Sequence, residues 1–211
     1  MCGHAEGEME DYVRVAIDKG LDEMGFSDHF PLLHIEMQNI SMKMEELPFY
    51  FSCISALKEK FRGRIEIKSG LEVDYTPETE KQTRKILKKY NLDYVLGSCH
   101  FLGEWPIDHP DHIDEWKKRD VALVYKEYFQ RINKMADTGI FDIIAHIDLV
   151  KKFGFIPEIN LTNIYKDAAL HIKKNNLCLE VNTSGLRKPV KEIYPAQEFL
   201  KICFDADVPS P

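Results

Sequence analysis

The chain has 211 residues, with 28 Lys plus Arg against 35 Asp plus Glu, and a formal net charge of −7. Its 44% hydrophobic and 30% charged residues are those of a globular protein and argue against disorder, while the acidic balance argues against a dedicated nucleic-acid binder. No apolar run approaches the ~18 residues of a membrane span, and Met1-Cys2-Gly3-His4-Ala5-Glu6 has no basic-then-apolar signal pattern.

Taken in order, residues 8–19 read as an amphipathic helix, with Val13, Ala16 and Ile17 on one face and Gly20 as its stop. A short strand follows at 23–27. Residues 41–61 read as a helix capped by Ser41 and interrupted by Pro48. Ile65–Val73 alternates and reads as a strand. Thr76-Pro77-Glu78-Thr79 opens a helix that runs to about Tyr90. Asp93–Ser98 reads as a buried strand, and 101–118 as a long loop around Trp105 and Trp116. A helix over 119–137 ends at Gly139. Asp142–His146 is a strand, 161–175 a helix, Leu177–Asn182 a strand, and 195–205 a helix behind Pro195. Five strands alternating with helices imply parallel pairing through right-handed crossovers. The length suits one domain, but falls short of the ~250 residues of a complete α/β barrel.

The chemistry gathers just past the strand ends: Asp28-His29, then Glu72 and Asp74, then His100, then His146 and Asp148, then Asn182. In a parallel barrel these ends share one rim, where such enzymes build their sites. Imidazole and carboxylate are ligands of zinc, manganese and iron. A lone His in such a place is more often a satisfied polar residue than a ligand. Repetition at four consecutive strand ends points to a metal site. Asn182-Thr183-Ser184-Gly185-Leu186-Arg187 combines small hydroxyl residues, a Gly and a guanidinium, a set able to hold a phosphate dianion. The bland reading of the same stretch is a turn with a surface Arg. His109 and His112 read as a solvated loop, His34 and His171 as surface or packing residues, and Trp105 with Trp116 as a loop's own small core. The Lys-Lys pairs, including Lys151-Lys152, read as solvated faces. The five Cys (2, 53, 99, 178 and 203) form no C-x-x-C pair, so neither a disulfide framework nor a zinc knuckle is indicated, and the expected compartment is the reducing cytoplasm.

Six segments resemble the histidinol-phosphatase branch of the polymerase-and-histidinol-phosphatase (PHP) superfamily. They are Cys2-Gly3-His4-Ala5-Glu6-Gly7, Gly25-Phe26-Ser27-Asp28-His29, Gly70-Leu71-Glu72-Val73-Asp74-Tyr75, Gly97-Ser98-Cys99-His100-Phe101, Ala145-His146-Ile147-Asp148-Leu149 and Glu180–Arg187. They run in family order over nearly the whole chain, and Gly103-Glu104-Trp105-Pro106-Ile107-Asp108 fits the same branch. The resemblance implies a distorted seven-stranded relative of the TIM barrel, with up to three divalent ions (zinc, manganese or iron) at the rim. It implies His4 and His29 on one ion, Glu72 bridging two others, His100 and His146 completing one of those, and Arg187 on the substrate phosphate. The implied reaction is hydrolysis of L-histidinol phosphate in histidine biosynthesis, by in-line attack of water without a phosphoenzyme. The substrate is a small molecule, with no nucleic acid and no membrane involved. Asp108, His109 and Asp148 stand as unassigned choices for proton delivery.

The family also carries a His-x-His strand before the Cys-Gly-His-Ala segment and an Asp-x-His near its C-terminus, and neither is present here. The expectation is therefore a barrel lacking its first and last strands: a weak metal binder, marginally folded and poorly active. Two alternatives stand beside it. One is another PHP phosphoesterase. The other is a non-catalytic remnant of the fold.

Overall fold

The computed structural model describes residues 5–37 and 39–209. Five strands form one sheet: β1 (Glu23–His29), β2 (Glu66–Asp74), β3 (Tyr94–Ser98), β6 (Ile143–Ile144) and β7 (Cys178–Leu179). Their order is β1-β2-β3-β6-β7, and the β1–β2 and β6–β7 ladders are parallel. Each strand thus lies beside the sheet strand that precedes it in the chain. A doubly wound sheet reverses at a switch point, and this order has none. The sheet has five strands, as read from the sequence, against seven in the implied barrel. A separate hairpin, β4 (Phe101–Leu102) with β5 (Trp105–Pro106), turns at Gly103 with φ +65°.

The described residues group into two compact units. The first draws on the described residues up to Val73 and on Thr79–Leu96. Helix α1 (Met9–Asp18) buries Val13 and Ala16, and a capping box between Glu8 and Asp11 starts it. Helix α2 (Leu47–Lys60) buries Leu47, Tyr50, Ile54 and Leu57, a 3.6-residue stripe. Pro48 sits in its first turn, where its missing N–H costs nothing, so it opens the helix rather than interrupting it. Ser41 is not the cap; its hydroxyl accepts from the Leu32 amide, 3.4 Å away. Helix α3 (Glu80–Leu87) buries Thr83, Ile86 and Leu87 behind a short 3-10 turn at Pro77–Thr79. Tyr94 lies across two glycines. A Cβ at Gly25 would run into its hydroxyl, and one at Gly70 into its ring.

The second unit comprises Asp74–Glu78 and the described residues from Gly97 onward. Helices α4 (Val121–Ala136), α5 (Thr162–Lys174) and α6 (Gln197–Asp205) pack in sequence along an aromatic seam. Tyr165 stacks on Phe199 with centroids 4.5 Å apart, and Phe129 meets both edge-on. Asp120 caps α4 by accepting from the Ala122 and Leu123 amides. The stretch 101–118 is not a loop. It holds the hairpin and a 3-10 helix over Pro110–Lys118. Trp105 and Trp116 do form its small core, 5.1 Å apart, with the Trp116 indole donating to the Ile107 carbonyl. No helix among the described residues is long and apolar enough to cross a membrane.

Candidate metal centre

Within the first unit, the parallel register sets His29 directly opposite Glu72. Both are half-buried, and His29 Nδ1 lies 3.9 Å from Glu72 Oε1. That is too long for a hydrogen bond, yet both atoms are within reach of one ion bound at about 2 Å from each. Helix α2 fixes this edge. The Tyr50 hydroxyl donates to the Gly70 carbonyl (3.0 Å) and accepts from the Asp28 amide (3.2 Å). It thereby ties the approach to Glu72 to the residue before His29.

Within the second unit, Asp74 holds His100 at two points. One carboxylate oxygen accepts from the His100 amide, and the other lies 2.8 Å from Nδ1. A carboxylate on Nδ1 sets the tautomer and leaves Nε2 as a lone-pair donor, the arrangement around metal-bound histidines. The ring of His146 lies 4.9 Å from that of His100. His146 is buried, and its backbone has φ +23°, a conformation that costs about 1–3 kcal/mol and clusters at functional sites. Glu180 holds it there. One oxygen accepts from the His146 amide at 2.6 Å, and the other from the Asn182 side chain at 3.1 Å.

Beyond these histidines, two of the second unit's Lys–Asp pairs are shielded from solvent. Lys152 Nζ lies 2.8 Å from an Asp108 carboxylate oxygen and 2.7 Å from the Asp108 carbonyl. Burial alone would raise the Asp108 pKa, but His100 in its protonated form, together with Lys152, outweighs it and holds the carboxyl below its ordinary value. Asp148 is fully buried, and desolvation pushes its pKa up against the pull of Lys151, 3.0 Å away. Lys151, 3% exposed, also meets Glu192 and the Ile193 carbonyl. These lysines are therefore not a solvated face. A buried ammonium requires such partners, and here they supply them.

The remaining sequence candidates divide. His4 lies outside the described residues. Arg187 is exposed at the end of a 3-10 helix over Thr183–Arg187, capped by Asn182, and makes no ion pair among the described residues. His171 is half-buried, with Nδ1 2.9 Å from an Asp137 carboxylate oxygen. His109 and His112 face one another in the 101–118 segment, with His109 half-buried. Glu180, Lys151 and Lys152 escaped the sequence reading as working residues, and Asp74 was named at its strand end without a role. For Asp74 a signal existed. It stands two residues after Glu72 on one strand, and so on the same face.

Comparison with known proteins identifies the class. The family model of the PHP domain matches residues 1–184, and the chain belongs to the PHP domain family. Its relatives place it in the histidinol-phosphatase branch. A "probable histidinol-phosphatase" of Deinococcus radiodurans is 38% identical over 210 residues, covering 99% of this chain and 80% of that protein. A solved structure from Listeria monocytogenes, described as a "putative histidinol phosphatase", superposes with TM-score 0.88 at 26% identity, over 99% of this chain and 89% of its own. A histidinol phosphate phosphatase from Lactococcus lactis, complexed with zinc, L-histidinol and phosphate, superposes with TM-score 0.80 at 20% identity. It covers 97% of this chain and 76% of its own, and at that identity it bears on the fold.

Proposed function

We propose that this chain is a metal-dependent phosphomonoesterase that hydrolyses L-histidinol phosphate to L-histidinol and phosphate, a step of histidine biosynthesis. The observation that carries the reading is the 38% identity to the Deinococcus radiodurans protein across 99% of the chain. The proposed ligands of divalent ions are His4, His29, Glu72, His100 and His146. The pairing of His29 with Glu72 and the carboxylate-oriented ring of His100 support this donor set. Bound divalent ions supply charge neutralisation at phosphate oxygens and a lowered pKa for coordinated water.

The chain's own groups do the rest. Asp74 fixes the His100 tautomer. Arg187, exposed and uncommitted to any ion pair among the described residues, binds the phosphate dianion through its planar fork. The singly wound sheet belongs, in this reading, to a PHP-type barrel of one domain, working in the cytoplasm on a small-molecule substrate.

The test is phosphate release from L-histidinol phosphate by the purified chain, with zinc or manganese added and then removed by chelator. Expected is slow, chelator-sensitive turnover of L-histidinol phosphate in preference to p-nitrophenyl phosphate. Absence of any release with either metal, or equal rates on both esters, overturns the assignment.

A further inference from the structure

The segment after β7 closes on itself. The Asn182 amide donates to the Tyr194 carbonyl at 2.7 Å, and the Tyr194 amide donates back to Asn182 at 2.9 Å. Residues 183–193 between them form a loop carrying Arg187. Its two limbs touch: a Cβ on Gly185 would collide with the Glu192 carbonyl and press on the Tyr194 ring. Gly185 therefore permits an approach that no other residue allows.

What holds this loop to the rest of its unit is polar and centres on the buried Lys151 and Asp148. Lys151 Nζ sits 3.0 Å from Glu192 and donates to the Ile193 carbonyl at 2.8 Å, both on the returning limb. The same ammonium lies 5.5 Å from the centre of the Tyr194 ring, at the loop's base. Asp148 neutralises it from behind and accepts from the Ala196 amide at 2.7 Å, just beyond the base. The Val190 amide adds a bond to the Lys152 carbonyl at 3.1 Å. Asp148 and Lys151 lie immediately after β6 and His146. A single buried pair thus joins the segment behind His146 to both the base and the returning limb of the Arg187 loop.

An ion pair is a poor way merely to fill a core, since apolar residues of the same size often do as well. Its particular strength is fixing one arrangement. We propose that Asp148 and Lys151 are positioning residues for Arg187: they hold the 183–193 loop in one geometry so that the guanidinium meets a phosphate ester already placed. The inference rests on the reading of Arg187 as the phosphate ligand, and its consequence is selective. Disturbing the pair weakens phosphate binding through Arg187 and through nothing else.

A double-mutant cycle tests this, with inorganic phosphate as the probe and calorimetric Kd as the readout in the metal-supplemented chain. Lys151→Met is expected to raise the phosphate Kd about tenfold when Arg187 is present and less than twofold in the Arg187→Ala background, because contacting or coupled residues are non-additive. Hydrogen exchange of residues 183–193 is expected to quicken in Lys151→Met. Lys151→Arg is expected to restore most of the affinity. Equal factors in both backgrounds, or an unchanged Kd, overturn the positioning role. Should Lys151→Met fail to fold, Glu192→Ala at an exposed position enters the same cycle, with a coupled rise of about threefold expected; no coupling there overturns the proposal equally. Failure of the underlying reading looks different: Arg187→Ala alone then leaves the phosphate Kd unchanged.

Discussion

Asp74 illustrates how much a single carboxylate can decide. It grips His100 by amide and ring together. Replacing it with Asn keeps the size but puts an amide where the carboxylate faced Nδ1. Loss of such an outer partner costs 10–100-fold in metal affinity as a rule, so Asp74→Asn is expected to weaken zinc binding by about that factor in a competition titration. Affinity within twofold of the parent would show that His100 needs no such support. At this scale place was readable: His29, Glu72, His100 and His146 do stand at or near the ends of successive sheet strands. The sequence was unreadable where a role depends on a distant partner. Asp74 meets His100 26 residues later. Lys151 looks like any surface lysine until Glu192, 41 residues on, folds over it.

Among the elements, strands and helices were legible because period 2 and period 3.6 write themselves into the chain. The stretch 101–118 was not: its two-residue strands and 3-10 helix show no period, and it lacks the apolar run between helices that marked the equally short β6 and β7. Pro48 was misread because a proline breaks a helix interior but suits a first turn, and only the folded start at Leu47 separates the two. The junction of α2, β2 and β3 carries a prediction of its own. Asp93 accepts from Lys58 (2.6 Å) and from the amide and hydroxyl of Ser69. Partial burial alone would raise its pKa; Lys58 and Ser69 outweigh that and hold the carboxyl down at about 2, against an ordinary 3.8. A depressed carboxylate stabilises the fold above its unfolded pKa and loses that contribution as pH falls through the folded one. The destabilisation caused by Asp93→Asn in urea is therefore expected to shrink between pH 5 and pH 2. A pH-independent difference would remove Asp93 from the acid lability of this unit.

Across the whole molecule, the order β1-β2-β3-β6-β7 followed from the alternation of strands and helices, since short crossovers place successive parallel strands side by side. The closing of a sheet into a barrel has no such local signature. Ions bound only by the native state add to its stability by mass action, about 2.7 kcal/mol at a hundredfold excess over Kd. Zinc or manganese is accordingly expected to raise the melting temperature of the chain and chelator to lower it, with Glu72→Ala blunting the shift. A melting curve indifferent to metal would place the proposed ligands elsewhere than on an ion.

The aromatic ring that lies over two neighbouring strands has a consequence for descent. Gly25, Gly70 and Tyr94 stand on three different strands, yet one volume is shared among them. A lineage that trims the tyrosine leaves room for methyl groups on the other two. A lineage that gains either methyl must first give up the ring. Across diverging sequences these three columns should therefore drift as a set, recording an unseen side chain in the history of its neighbours.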